Sequence, residues 1–172
     1  SISDSPGEED NPYVKSGADG FRLPGMDEWE LAARYIGDAN ADGDIEDSGE
    51  FYPGNHASGA DAPYDASSAS QDLDGDGDQD VTGDVGWYDD NSSSTNDVAT
   101  KDDNALGLFD MSGNVYEWNS DWHPDFVGTS RAVRGGSWNY STAYLLQVGE
   151  LSANYFYDGN TIIGFRPARN AQ

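Results

Sequence analysis

The pattern of apolar and polar positions divides the chain into three zones. Residues 20–36 place apolar side chains at helical spacing. Residues 37–103 are rich in Asp, Gly and Ser and show no sustained period, and residues 104–172 hold short aromatic and β-branched runs broken by Gly. Runs of the last kind are typical of strands. The pattern therefore predicts one helix, a small sheet and much loop.

The helix is predicted over residues 25–36. Gly25 can act as its N-cap with Glu28 at the third helical position, and acidic residues in the first turn favour the positive end of the helix dipole. The apolar positions that recur at helical spacing are Trp29, Ala33 and Ile36. In the C-terminal zone, strands are predicted at RAVRGGSW (131–138), YLLQVG (144–149) and TIIGFRPA (161–168).

The length of 172 residues with 35% hydrophobic content can bury one core and not two. We expect a single domain over 1–172, with a helix-bearing first segment (20–36), an acidic insert (37–103), and core motifs with a binding face (104–172). No apolar run approaches the roughly 20 residues that span a bilayer, and the first residues resemble no signal peptide. We therefore expect no membrane insertion.

Charge and cysteine content exclude several classes of partner and chemistry. The formal net charge is -25, which repels the phosphate backbone, so we expect no nucleic-acid partner. The chain has no cysteine, which excludes disulfides, thiolate metal sites and thiol catalysis.

The acidic insert contains a spacing that suits a hard cation. In 72–80 and in 38–44, oxygen-bearing side chains stand at positions 1, 3 and 5 and a Gly follows, as in calcium loops. The acid of position 12 is displaced and no clear helices flank 72–80, so a solvated acidic loop without an ion is an open alternative. The candidate ligands are Asp72, Asp74, Asp76 and Asp78.

Three motifs in order resemble the formylglycine-generating-enzyme/sulfatase-modifying family. They are RLPGMDEWELAAR (22–34), NALGLFDMSGNVYEWNSDW (104–122) and RAVRGGSWN (131–139), with GFRPAR (164–169) closing the pattern. The resemblance implies an α+β, C-type-lectin-like fold of the formylglycine-generating-enzyme type, in which a small twisted mixed sheet carries few helices and much irregular loop.

The same resemblance implies a structural calcium site in the central motif. Side-chain oxygens of Asp110 and Glu117 and backbone carbonyls of Gly113 and Val115 would coordinate the ion. The alternative is that both acids cap turns without an ion. Arg134 and Arg166 lie in framework motifs and are expected to fasten loops, because arginine commonly bonds backbone carbonyls and buried acids.

The residues that the family's chemistry requires are missing. Its oxidase activity depends on a pair of cysteines just after the RGGS motif, where this chain has residues 139–143 without a thiol. Its iron-dependent branch needs a histidine cluster, and this chain has two scattered histidines. A fold cannot supply an activity whose reactive atoms are absent, so we expect no enzyme.

The segment 139–163 is predicted to form the ligand-binding face. It contains four of the ten tyrosines among Ser, Asn, Gly and Thr, with no Lys or Arg, a composition similar to that of an antibody paratope. Between its framework motifs it also resembles the variable proteins of diversity-generating retroelements, whose codons are rewritten at adenines. The candidate contact positions are Tyr140, Ser141, Tyr144, Ser152, Asn154, Tyr155, Tyr157, Asp158, Asn160 and Thr161.

These observations predict a ligand-binding protein with a hypervariable surface. The expected partner is a protein or glycan on a cell or virus surface, and the expected location is cell-surface, secreted or virion-associated. Three alternatives stay open: a fixed-specificity lectin or adhesion domain, a degenerate enzyme with a deep pocket of paired acids, and a structural surface component with solubilising acidic loops.

Overall fold

The computed structural model of the chain describes residues 20–37, 50–64, 81–140 and 143–169. Short helices and strands alternate there with long irregular backbone, and none of the described helices is long and apolar enough to cross a bilayer. The elements in chain order are α1 (Met26–Arg34), α2 (Thr82–Val85), β1 (Tyr116–Trp122), the 3-10 helix η1 (Pro124–Phe126), β2 (Ser130–Arg134), the 3-10 helix η2 (Ala143–Leu146), β3 (Ser152–Tyr155) and β4 (Ile163–Gly164).

Helix α1 confirms the predicted helix, with its C-terminal end two residues earlier. Gly25 is the N-cap, and its N–H donates to Glu28 Oε2 at 3.1 Å. The helix ends at Arg34 because Tyr35 turns to extended backbone and forms an antiparallel bridge with Phe51. The first residue after the helix thus already contacts the segment that contains Phe51.

The four strands form one mixed sheet in the order β3-β2-β1-β4. The pairs β1–β2 and β2–β3 are antiparallel, whereas β1–β4 is parallel. Between the pairs Trp118–Val133 and Trp122–Arg131, a four-residue step on β1 faces a two-residue step on β2, an irregularity of the kind that increases local twist. This architecture confirms the predicted α+β class.

The core lies between α1 and the sheet face that carries Glu117 and Arg134. The periodic helix positions are buried as predicted, with Trp29 at 1% and Ala33 at 0% exposure. The main buried cluster, against which Leu108 packs, consists of Trp29, Ala33, Met111 and Val148. Its members come from α1, the central motif (104–122) and the segment after η2. The cluster therefore packs three distant parts of the chain together.

The predicted strand at 144–149 is wrong. Its first half forms η2, and its second half is a turn in which Val148 N and Gly149 N donate to the carbonyl oxygens of His56 and Gly54, both at 2.8 Å. The apolar residues of 144–149, whose composition predicted a strand, therefore pack a loop against the core. Of the predicted strand at 161–168, only β4 joins the sheet.

Candidate ligand-binding face

The edge strand β3 divides its side chains between the two faces of the sheet. Its register pairs Asn154 with Arg131 and Tyr155 with Ser130. Because successive strand residues point to opposite faces, Asn154 lies on the face away from α1, and Tyr155 on the same face as α1. The predicted contact positions on β3 therefore do not share one surface.

On the face away from α1, two predicted contact residues touch Tyr116. The ring of Tyr140 meets Tyr116 edge to face with centroids 5.6 Å apart, and Ser152 Oγ lies 3.3 Å from the Tyr116 hydroxyl. Burial raises the pKa of Tyr116 to about 12, and the hydrogen bond with Ser152 acts in the opposite direction. Tyr140 and Ser152 are thus attached to a buried framework residue.

Aromatic side chains continue in mutual contact from the end of β3. The Tyr155 and Tyr157 rings stack with centroids 5.5 Å apart, and Phe156 meets both Tyr157 and Trp122 edge to face. On the face away from α1, the guanidinium of Arg131 lies 3.7 Å from the centroid of the Trp122 ring. Tyr155 and Tyr157 are 49% and 63% exposed, so they present aromatic surface on a fixed base.

The turn after β1 adds apolar surface that the sequence analysis did not select. Phe126 and Val127 are 50% and 68% exposed. Phe126 and Tyr155 line one cavity of about 220 Å³, with Thr129, Ser130, Ala153 and Asn154 as its other walls. We call Trp122, Phe126, Tyr155, Phe156 and Tyr157 the aromatic strip.

The position of Phe126 is fixed by His123. His123 Nδ1 accepts the N–H of Asp125 at 3.2 Å, and its ring packs against Phe126 with centroids 5.1 Å apart. A signal for this residue was present in the sequence, since a large aromatic side chain in a turn between Pro124 and Gly128 departs from the polar residues usual in turns.

Tyr144 lies apart from the aromatic strip, on η2. Its ring meets Tyr64 edge to face with centroids 5.5 Å apart, and it is 45% exposed. A hydrogen bond to the Glu150 carboxylate raises the pKa of the Tyr144 hydroxyl, because the bond favours its protonated form. Tyr144 therefore faces solvent beside an acid.

The remaining predicted contact residues follow the strip. Asp158, Asn160 and Thr161 are all exposed. Asp158 N donates to Tyr155 O at 3.0 Å, and Asn160 Oδ1 accepts the N–H of Ile162 at 3.2 Å, so local hydrogen bonds hold the loop. Ser141 lies outside the described residues.

Arg134 and Arg166 are framework residues, as predicted. Arg134 is 4% exposed; its Nη2 lies 2.7 Å from Glu30 Oε2, and its Nη1 donates to the carbonyl oxygen of Glu150 at 2.9 Å. Arg166 donates to both oxygens of Glu117. Arg134 thereby connects α1 to the segment that leads into β3.

Most of the predicted calcium ligands of the central motif gather at one place. Asp110, Val115 and Glu117 line a cavity of about 400 Å³ together with Arg166. Asp110 and Gly113 have positive φ angles of 55° and 81°. Three of the four predicted residues therefore share the cavity, whereas Gly113 is not among its lining residues and packs on Trp87.

Their carboxylates already have internal partners. Glu117 accepts hydrogen bonds from Trp29 Nε1 and from the Arg166 guanidinium, which neutralises its charge. Asp110 Oδ2 accepts the N–H of Ala99 at 2.8 Å. Across the described ranges, no three acidic or histidine side chains are grouped as metal ligands. Calcium binding at these residues stays a prediction.

The second set of predicted calcium ligands cannot be placed. Asp72, Asp74, Asp76 and Asp78, like the shorter acidic run 38–44, lie outside the described residues. Calcium binding there also stays a prediction.

The chain is similar to known proteins over most of its length. The model of the family described as Sulfatase-modifying factor enzyme 1-like domain matches residues 5–171. Chaperone protein LppX of Paenibacillus barcinonensis is 32% identical over 148 residues, which cover 82% of this chain and 47% of LppX.

Two solved structures share the fold. Treponema denticola variable protein 1 superposes with a TM-score of 0.64 at 27% identity, and CarF with 0.63 at 26%; each alignment covers 93% of this chain and 51% of the other. The predicted C-type-lectin-like fold and the predicted likeness to a variable protein are confirmed. The chain spans about half the length of these relatives.

Proposed function

The chain belongs to the family of sulfatase-modifying factor enzyme 1-like domains, and from that premise we propose that it is a ligand-binding protein without enzyme activity. The proposed binding face comprises the exposed side chains of 139–163. Its codons vary by retroelement-directed mutagenesis, and its ligand is a protein or glycan on the surface of a cell or virus. The likeness to a variable protein supports this proposal.

The stacked pair Tyr155–Tyr157 is the observation that carries the proposal. Both rings are about half exposed and stack at an interplanar angle of 16°, so they are oriented before a ligand arrives. Tyrosine provides large contact area at low cost in conformational entropy. Neither residue belongs to the buried clusters, so either can be replaced without leaving a cavity in the core.

The absence of enzyme activity is proposed from side-chain chemistry. The chain lacks the cysteine pair on which the family's oxidase chemistry depends. Its two histidines, His56 and His123, are buried and have internal partners, since His56 Nδ1 lies 2.9 Å from Ala60 O and His123 Nδ1 accepts a backbone N–H. These contacts engage Nδ1 of each imidazole within the fold, which supports the proposal.

A display experiment tests the function. One library of the full chain randomises face positions, and a matched library randomises core positions. Folding is measured by protease resistance, and binding by selection against panels of surface proteins and glycans. The face library contains Tyr144, Tyr155, Tyr157 and Asp158, and the core library contains Trp29, Ala33, Met111 and Val148.

We expect most face variants and few core variants to fold, and different face variants to select different ligands. Natural copies of the gene should also differ mainly within 139–163. Equal protease sensitivity of the two libraries would overturn the proposal. One glycan bound by every face variant would instead establish fixed lectin specificity.

A further inference from the structure

A cleft opens between Phe126 and Tyr155, at the paired ends of β2 and β3. Its volume of about 220 Å³ lies below the roughly 300–1,000 Å³ of pockets that enclose drug-sized ligands, so it suits a single side chain. Within the described residues β3 pairs only with β2, which leaves its outer edge without a neighbouring strand. Such an edge can pair with an extended segment of another polypeptide.

The walls of the cleft favour a flat cation. Its two largest walls are aromatic, and none of the residues that line it carries a charge. The nearby guanidinium of Arg131 is buried on the opposite face of the sheet, where it lies over Trp122. With a net charge of -25, the chain as a whole also attracts positively charged partners.

We propose that this cleft binds an arginine side chain of a protein partner, presented by an extended segment that lies along β3. The planar guanidinium would stack against Phe126 and Tyr155, and the net negative charge of the chain would favour its approach. The proposal rests on the proposed function, because it names the partner chemistry of the same face. It adds Phe126, which lies outside 139–163, as a fixed contact beside the varying ones.

Binding of a labelled peptide tests whether arginine occupies the cleft. The probe is a short fluorescein-labelled peptide of alternating arginine and threonine, compared with the same peptide carrying citrulline, which keeps the shape of arginine without its charge. Fluorescence polarisation is measured with the full chain at about 0.15 M salt, where the Debye length is about 8 Å and diffuse attraction to the acidic surface is weakened.

The variants are Phe126→Ala and Tyr155→Ala, with Phe165→Ala as the matched control. Phe165 is 70% exposed and follows β4 at the opposite edge of the sheet. All three substitutions leave every charge in place, and thermal melting by circular dichroism checks that each variant folds.

We expect the arginine peptide to bind the wild type, and the first two variants to weaken binding roughly two- to fivefold, as stacking on a half-exposed ring implies. Phe165→Ala should bind like the wild type, and the citrulline peptide should bind more weakly. Unchanged binding in Phe126→Ala and Tyr155→Ala would overturn the proposal that the cleft binds arginine. That result would leave the proposed function standing, because the proposed function is tested separately by the folding and ligand selection of the face library.

Discussion

Trp29 Nε1 donates a 2.7 Å hydrogen bond to Glu117 Oε2, which joins α1 to β1 between residues 88 positions apart. Arg166 donates to the same carboxylate through Nε at 3.0 Å and Nη2 at 2.8 Å. Three segments of the family motifs therefore meet at one buried acid. This carboxylate lies at the junction of the helix, the central strand and the C-terminal motif.

The first prediction concerns the loss of that charge. Glu117→Gln keeps the size of the side chain but leaves Arg166 without its counter-ion in a partly buried place. We expect the free energy of unfolding to fall by about 3–5 kcal/mol, measured by urea denaturation. Glu28→Gln, which removes the more exposed partner of Arg22, should cost less than about 1 kcal/mol. Equal losses in the two variants would contradict this account.

A glycine in the central motif provides the second prediction. Gly113 has φ 81°, and a Cβ there would lie 2.3 Å from the carbonyl oxygen of Trp87. We expect Gly113→Ala to lower the free energy of unfolding by about 2–5 kcal/mol, through left-handed backbone strain and the clash. Gly83→Ala is the control, because a Cβ at Gly83 meets nothing within 4 Å. If the two variants melt alike, the close packing of Gly113 on Trp87 is wrong.

Sequence patterns predicted the elements whose structure follows from the local order of apolar and polar side chains. Helix α1 follows from the spacing of Trp29 and Ala33, and β2 overlaps the strand that was predicted at 131–138. The segment 144–149 has strand composition but forms a turn, because Gly149 packs on Gly54 nearly 100 positions earlier, and no local pattern contains that contact.

Only part of the candidate face was predicted, because some of its contacts also join residues that are far apart in the chain. Tyr155 and Tyr157 were selected by composition, and they do stack on each other. Phe126 was missed because it precedes β2 in the chain and reaches Tyr155 only through strand pairing. Residues that a sheet brings together from separate segments cannot be found by reading one segment.

The third prediction follows from the raised pKa of Tyr116. Its pKa is about 12 in the folded chain, above the roughly 10 of an unperturbed tyrosine, so the folded state holds the proton more tightly. The stability linked to this proton is fully present below pH 10 and is lost as pH rises from about 10 to 12. Urea denaturation across this range should therefore show a steeper decline for the wild type than for Tyr116→Phe. Exposed Tyr157→Phe should follow the wild type, and parallel curves for all three would contradict the assignment.

Calcium binding at the central motif gives the fourth prediction. If Asp110 ligates the ion, calcium should raise the melting temperature of the wild type and chelation should reverse the rise, since binding at about 100 times Kd stabilises by about 2.7 kcal/mol. Asp110→Asn should abolish the shift. Asp74→Asn tests the acidic insert separately, and a shift lost there but kept in Asp110→Asn would assign the ion to the insert. No shift in the wild type would exclude both sites.

The last prediction concerns a helix cap supplied from the sheet. Asp121 Oδ2 accepts the N–H of Met26 at 2.7 Å, so a carboxylate from β1 satisfies one of the free amides at the start of α1. Removing it in Asp121→Ala should cost about 0.5–2 kcal/mol for the cap. A further 0.3–1 kcal/mol or so should be lost because the acid also interacts with the helix dipole.

The Asp121→Asn variant separates these two effects, because its amide oxygen can still accept the hydrogen bond without the charge. We expect it to retain most of the stability in urea denaturation and to show a weaker salt dependence than the wild type, because residue 121 no longer carries a charge beside the helix start and Arg131. Asp125→Ala, which removes an exposed acid nearby, is the control and should change stability little. If Asp121→Ala is no less stable than Asp125→Ala, α1 is not capped from the sheet, and the contact of Met26 with Asp121 contributes nothing to folding.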